Sequence, residues 1–295
     1  MLSVLIPTYN YAIFPLVSIL FEQLEKAKID FEIICLDDAS SRFHNENQEI
    51  NTLENCSYTI LEKNIGRSSI RNLLAKKANF ENLLFLDADV IPVNENFIAT
   101  YLFHINSEEK VVYGGVKYQT EKPEKSQLLR WFYGKSRESL NVQERNKDEY
   151  LSFLTMHFLT KKKLFEKVSF NESMAKWGHE DTLFSSDLKK KSIKILHIEN
   201  PIVHLGLENS IAYLEKSKQA LRSLKYLIDN QLIDPEYAKL SKKEKELKNL
   251  GLKPFFLVFY HLTKGIFLKN LKGKNPSLFI FDLYRLGYFC NLNSN

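Results

Sequence analysis

Glycine and proline are scarce in this chain, at 10 and 8 of 295 residues. That scarcity excludes a collagen-like or Gly/Pro-rich low-complexity polymer. Cysteine is scarcer still. Cys35, Cys56 and Cys290 are odd in number and widely spaced, with no CxxC pair. They argue against a disulfide framework or a structural zinc site and point to a reducing, cytoplasmic setting. No apolar run reaches the roughly 18 residues of a membrane-spanning helix. The nearest, Phe255 to Leu268, contains His261 and Lys264. The opening MLSVLIPTYNY lacks the basic start and long apolar stretch of a secretion signal. No GxxxxGKS/T loop is present, which sets aside a P-loop kinase or NTPase. Neither charge sign dominates. Lys and Arg number 41 and Asp and Glu 36, a net +5, too balanced to indicate a nucleic-acid partner.

Aromatic side chains, by contrast, are plentiful. The chain carries 21 Phe and 14 Tyr within a 44% hydrophobic composition, enough for a substantial core. The length suits about two domains, or one large α/β domain with an appendage. Within the first hundred residues, short apolar runs alternate with helical patterns. Ser3–Pro7, Phe31–Leu36, Tyr58–Leu61 and Leu83–Leu86 read as strands, and Ile13–Lys26 and Ser68–Ala78 as helices. Strands apolar on both faces, alternating with helices, imply a doubly wound, Rossmann-like, mostly parallel sheet. The middle is less regular. Val111–Lys117 and Leu151–Leu159 read as extended, Glu138–Tyr150 as a charged mobile segment, and Thr182–Lys191 as a helix before a strand at Ile193–Ile198. After Leu207 the pattern is helical. Leu214, Leu221, Leu224 and Ile228 share one face. Asp234 and Pro235 predict the start of a further helix that Gly251 ends.

In a doubly wound sheet, ligands bind beyond the carboxyl ends of the strands. Four successive strand ends here are polar: Pro7-Thr8-Tyr9-Asn10, Asp37-Asp38-Ala39-Ser40, Asn64-Ile65-Gly66-Arg67 with Arg71-Asn72, and Asp87-Ala88-Asp89. Taken singly, Asp37, Asp38 and Asp87 could be caps or turn formers. Together they point to a nucleotide site. The paired carboxylates of Asp87 and Asp89 call for a cation between them, and a hard divalent ion, Mg²⁺ or Mn²⁺, suits oxygen ligands and bridges diphosphate oxygens.

These segments, in this order, resemble a family 2 glycosyltransferase with the GT-A fold. The resemblance implies a nucleoside-diphosphate sugar donor, most often a UDP-sugar, and an enzyme of hexosyltransferase type in polysaccharide biosynthesis. It assigns Pro7, Thr8, Tyr9, Asp37, Asp38, Asn64, Gly66, Arg67, Arg71, Asp87 and Ala88 to the donor and Asp89 to the metal. Ala39 stands where the family usually has Gly. Trp177-Gly178-His179-Glu180-Asp181 is similar to the family's acidic acceptor motif, which implies Asp181 as general base with Glu180 and Trp177 at the acceptor. The plainer alternative is that Glu180 and Asp181 only begin a helix, where negative charge is favourable. Pro201-Ile202-Val203-His204 resembles the segment that supplies a histidine ligand to the metal, with His197 as competitor. The acceptor would be a hydroxyl of a glycan or lipid-linked glycan, attacked with inversion.

The implied division is a GT-A domain at 1–207, with a nucleotide-binding half 1–105 and an acceptor half 106–207. A helical, aromatic-rich, basic extension follows at 208–295. In that extension Phe255, Phe256, Leu257, Phe259, Phe267 and Leu268 accompany Lys264, Lys269, Lys272 and Lys274. They suit either docking on the inner face of the cell membrane or packing on the core or a second copy. Two other functions share parts of this pattern. A sugar nucleotidyltransferase would carry a Gly-rich basic loop after the first strand, where Pro7-Thr8-Tyr9-Asn10 stands. A non-catalytic nucleotide-sugar or glycan binder would not require Asp87, Asp89, Glu180 and Asp181.

Overall fold

The structure is a computed structural model that describes residues 1–173 and 178–292. Two compact units emerge: residues 1–118, 139–173 and 187–206 form the first, and 119–138, 174–186 and 207–295 the second. Two stretches of the implied acceptor half, 119–138 and 174–186, therefore group with the C-terminal helices.

The first unit is built on a seven-stranded sheet. Its strands are Leu2–Thr8 (β1), Phe31–Asp37 (β2), Cys56–Ile60 (β3), Asn82–Leu86 (β4), Val111–Tyr113 (β6), His157–Lys161 (β8) and Ile195–His197 (β9). They lie in the order β3-β2-β1-β4-β8-β6-β9. β8 pairs antiparallel with both β4 and β6, and all other pairings are parallel. Both faces of the parallel half are covered, and Leu2, Val4, Leu5, Ile6, Ile33 and Leu84 are fully buried. The apolar runs read from the sequence reflect this burial. Phe14–Ala27 (α1) and Arg67–Lys77 (α3) are the crossover helices. The short helices of this unit are His44–Gln48 (α2), Phe97–Phe103 (α4), Val142–Arg145 (α6) and Lys162–Lys167 (α7). A second sheet joins Val90–Pro92 (β5), Ile202–His204 (β10) and Val116–Lys117 (β7), with β10 in the middle.

Three sequence expectations change here. Val111–Lys117 is not one strand. Gly115, at φ +90°, turns the chain so that β6 and β7 join different sheets. Leu151–Leu159 is extended only from His157, because Asp148 draws residues 151 and 152 into a turn through Leu151 N–H to Asp148 Oδ1 (3.3 Å) and Ser152 N–H to the Asp148 carbonyl (3.0 Å). The charged stretch Glu138–Tyr150 is anchored. Asn141 and Glu144 form a reciprocal capping box on α6, and Arg145 is 1% exposed. Its guanidinium donates to the Ile198 carbonyl at 2.7 Å and lies 5.2 Å from the centre of the Tyr113 ring. Gly115 makes the room, since a Cβ there would overlap the guanidinium.

The second unit is helical: Leu128–Tyr133 (α5), the N-terminal part of Glu180–Lys190 (α8), Ser210–Asp229 (α9), Lys239–Asn249 (α10), Lys253–Leu271 (α11) and Leu278–Leu292 (α12). A π-helical turn, Gly134–Glu138, continues α5. Asn209 caps α9 by accepting from Ile211 and Ala212 N–H, a contact worth about 1 kcal/mol. Leu214, Leu221 and Leu224 of α9 are buried as the periodicity predicts. The Asp234-Pro235 helix start is corrected. Asp234 accepts from Glu236 N–H at 2.7 Å in a turn, and α10 begins at Lys239. Asp-Pro initiates turns as readily as helices, and here the turn wins. Gly251 follows α10 at φ +69°.

Candidate active site

In the order β3-β2-β1-β4, the chain leaves β1 in one direction and returns on its other side, so the crevice lies beyond the carboxyl ends of β1 and β4. Thr8 pairs level with Asp37, and Asp37 with Ile60. The strand-end residues therefore line one edge of the sheet. Thr8 is buried, Pro7 half-buried and Tyr9 exposed.

Asp37 and Asp38 are committed to the chain itself. Asp37, with no exposed surface, accepts from Ser40 N–H at 2.7 Å and from the Tyr58 hydroxyl. Asp38 accepts from Ile65 N–H (2.6 Å) and Gly66 N–H (3.0 Å), and the Asn64 amide donates to its carbonyl (3.0 Å). Asp37 thus ties the end of β2 to β3, and Asp38 ties it to the loop before α3, whose first residue is the exposed Arg67. Gly66 precedes it at φ +84°. Ala39 sits at φ +60°, a left-handed geometry that Gly adopts freely and that strains a Cβ. Ala39→Gly is therefore expected to raise stability by roughly 0.5–1 kcal/mol, read as a higher urea midpoint with an unchanged slope.

Beyond β4, Asp87, Ala88 and Asp89 are half-buried. Arg71, 3% exposed on α3, donates to Asp87 Oδ1 at 2.5 Å. Its Nε and Nη1 have no hydrogen-bond partner. Burial pushes the Asp87 carboxyl up and Asp89 adds to this. Arg71 and Arg67 oppose without cancelling, leaving Asp87 above its ordinary value. For Asp89 burial also pushes up, but the His204 hydrogen bond and charge, with Arg67, outweigh it and hold the carboxyl below its ordinary value. The neighbouring carboxylates are thus set apart, and Asp89 carries its charge more readily.

His204, on β10, brings Nε2 to 3.2 Å from Asp89 Oδ2. Its ring lies 5.5 Å from that of Tyr118, and its buried Nδ1 has no partner. The competing His197 is elsewhere. On β9 it bonds the Glu149 carbonyl at 2.9 Å, and burial lowers its pKa to about 4. Three neighbours of Asp89 escaped sequence reading. Leu205 N–H donates to its carbonyl at 2.8 Å, and its charge raises the pKa of Tyr11 behind the larger effect of burial. A Cβ on Gly206 would overlap Asp89 Oδ2 and come within 3.2 Å of His204 Nε2. Gly206 therefore lets the Asp89 carboxylate lie directly against the backbone beside His204. Among the described residues no three His, Cys, Asp or Glu side chains form a metal cluster. A carboxylate and an imidazole suit a hard divalent cation that takes its other ligands from diphosphate and water. They do not suit a cation caged by protein alone.

In the second unit, Glu180 and Asp181 open α8. Asp181 accepts from Thr182 N–H at 2.7 Å. Helix-start charges are usually held low, yet burial, then the Glu180 charge, raise Asp181 to about 6, with Glu138 adding to this. Burial and Arg285 lower His179 to about 4. Gly178, at φ +100°, leaves 2.7 Å between a notional Cβ and Ala220 Cβ on α9, so this turn takes no other residue without strain. Trp177 lies outside the described residues.

The family model for "Glycosyl transferase family 2" matches residues 3–173. Among curated proteins none matches the chain. Among solved structures, the chain is similar to the mannosyltransferase PcManGT from Pyrobaculum calidifontis, in complex with GDP-Man and Mn²⁺, at 13% identity and TM-score 0.58, covering 99% of this chain and 86% of that one. It is also similar to S. aureus TarS 1–349, at 17% identity and TM-score 0.50, covering 100% and 92%, and to the same protein in complex with UDP, at 16% identity and TM-score 0.50, covering 98% and 89%. At such identities the likeness is one of fold, and that fold is GT-A. With the family model spanning more than half of its residues, on this sheet and with these strand ends, the chain belongs to glycosyl transferase family 2 and is a glycosyltransferase.

Proposed function

We propose that the enzyme transfers a hexosyl group from a nucleoside-diphosphate sugar, a UDP-sugar in the first instance, to a hydroxyl of a glycan or lipid-linked glycan, with inversion and with a divalent cation. The observation that carries this reading is the Asp89–His204 pair, seated against Gly206, beside the Arg71–Asp87 ion pair on the ligand-binding edge of the sheet. Asp89 and His204 would hold Mn²⁺ or Mg²⁺. When bound, the ion supplies charge stabilisation to the departing diphosphate. Arg71 is assigned to the donor by motif, and through Nη2 it holds Asp87, which orients the ribose or sugar. Asp37 and Asp38 hold the strand-end turns against which Pro7, Thr8, Tyr9, Asn64, Gly66, Arg67 and Ala88 form the donor surface. Asp181 takes the proton of the acceptor hydroxyl while its oxygen bonds to the anomeric carbon and the bond from that carbon to the diphosphate oxygen breaks. Glu180 holds a neighbouring acceptor hydroxyl, and Trp177 is assigned to the acceptor sugar by motif alone.

The similar structures carry two nucleotides in their names, GDP-Man and UDP. Thermal shift with matched UDP- and GDP-sugars, each with and without Mn²⁺, therefore tests the donor. A UDP-sugar at one hundred times its Kd is expected to stabilise the protein by about 2.7 kcal/mol, only with the cation present. A larger shift with GDP-sugars would reassign the base. No shift with any nucleotide sugar would overturn the reading.

A further inference from the structure

The second unit carries an apolar stripe that its own core does not use. On α11, Tyr260, Phe267 and Leu271 are buried against Phe281 and Tyr284 of α12. Gly287 seats Tyr260 closely, since a Cβ there would overlap its ring. This contact fixes which way α11 faces. On its opposite side Phe255 (74% exposed), Val258, Phe259, Leu262 (78%) and Ile266 (67%) recur at helical spacing. The 19-residue helix is about 28 Å long. At the turn into α12 stand the exposed Lys269, Lys272 and Lys274, with Phe279 also exposed. Charge is concentrated in the same region. Residues 239–274 contain ten lysines and two glutamates, a formal +8, whereas the whole chain is +5 and the remainder therefore −3.

We propose that this face of α11, with its lysine-rich ends, docks the enzyme in plane on an anionic lipid bilayer. A helix whose outer face is an apolar stripe with lysines at its ends lies at the headgroup boundary, adding apolar burial to attraction for anionic lipid. Among the described residues no helix is long and apolar enough to cross a membrane. Charge selects lipid over a second copy of the chain, because a symmetric dimer through this helix would bring the exposed Lys264, Lys269, Lys272 and Lys274 of one copy toward those of the other. The docking goes beyond the transfer reaction and depends on neither the donor nor the base.

Flotation of the full chain with vesicles tests it. Vesicles with roughly one phosphatidylglycerol in three lipids, at low salt, are expected to carry the protein up the gradient. Pure phosphatidylcholine vesicles are expected to carry at least tenfold less. Leu262→Glu/Ile266→Glu, both at exposed positions, should weaken binding roughly 100-fold. Lys269→Gln/Lys272→Gln/Lys274→Gln should do the same, at about 1 kcal/mol per lysine. Unchanged melting curves would show that both variants are folded, and retained nucleotide-sugar hydrolysis would separate docking from chemistry. Absence of flotation at low salt would overturn the proposal. So would equal binding of neutral vesicles, or a dimer in sedimentation that Leu262→Glu/Ile266→Glu dissociates.

Discussion

Asp181→Asn is expected to lower kcat by about 10²–10⁴-fold, the range for a positioned general base, while donor affinity stays unchanged. The substitution keeps the shape and the hydrogen bond from Thr182 N–H but removes the basic oxygen. An acceptor hydroxyl is a poor nucleophile at neutral pH, so the carboxylate must take its proton as the new bond forms. Burial and Glu180 raise Asp181 to about 6, which makes it a stronger base than an ordinary aspartate. The sign of the pH dependence follows. Only the ionised form accepts a proton, so the rate is full above about pH 7 and declines roughly tenfold per pH unit below 6. Glu180→Gln removes a neighbouring negative charge and should move this acidic limb to lower pH. Near-wild-type turnover of Asp181→Asn, or a product with retained anomeric configuration by NMR, would defeat both the base and the mechanism.

Asp89→Ala should abolish cation-dependent donor binding and lower the transfer rate by at least about 10²-fold, since several kcal/mol of charge stabilisation depends on the cation it would hold. The fold should survive, because the change removes one of two neighbouring carboxylates and relieves Asp87. Gly206→Ala reaches the same end without touching a ligand. Its Cβ would overlap Asp89 Oδ2 and crowd His204 Nε2, so Mn²⁺ titration followed by thermal shift should show a weakened response. His204→Ala should weaken it less, because the carboxylate remains. Full Mn²⁺-dependent donor binding in Asp89→Ala would remove the metal assignment.

The first hundred residues were legible in the sequence because β1, β2 and β4 are buried on both faces. Runs such as Leu83–Leu86 are apolar throughout and then end abruptly in carboxylates. Polar residues at such ends announce the ligand edge. Other parts gave misleading or no local signal. Arg145 lies in a charged stretch that looks solvated, yet it is buried through an aromatic face and a carbonyl supplied from far along the chain. The break between β6 and β7 rests on Gly115 at φ +90°, within a run whose Val111, Val112, Tyr113 and Val116 favour strand. Tyr11 and Gly206 matter because the fold brings them to Asp89, and no spacing rule links residues 89 and 206. Glu138, which helps raise Asp181, reaches that role through a π turn that local periodicity does not foretell.

The interleaving of the two units has a consequence for how the chain is made. It passes from one unit to the other at 118/119, 138/139, 173/174, 186/187 and 206/207. β9 at the sheet edge and β10 in the middle of the small sheet both follow residue 173, where the family match stops. A chain growing from a ribosome that has extruded only the matched span has Asp89 but no His204, and β5 and β7 but no strand between them. A truncation at that boundary should expose the unpaired edges of β6, β5 and β7 and be prone to aggregate. The first unit can close only after residue 206 has emerged. By then the segments 119–138 and 174–186 have already been synthesised and await helices encoded downstream. The two units are thus expected to reach their native states late, only after the C-terminal helices have emerged.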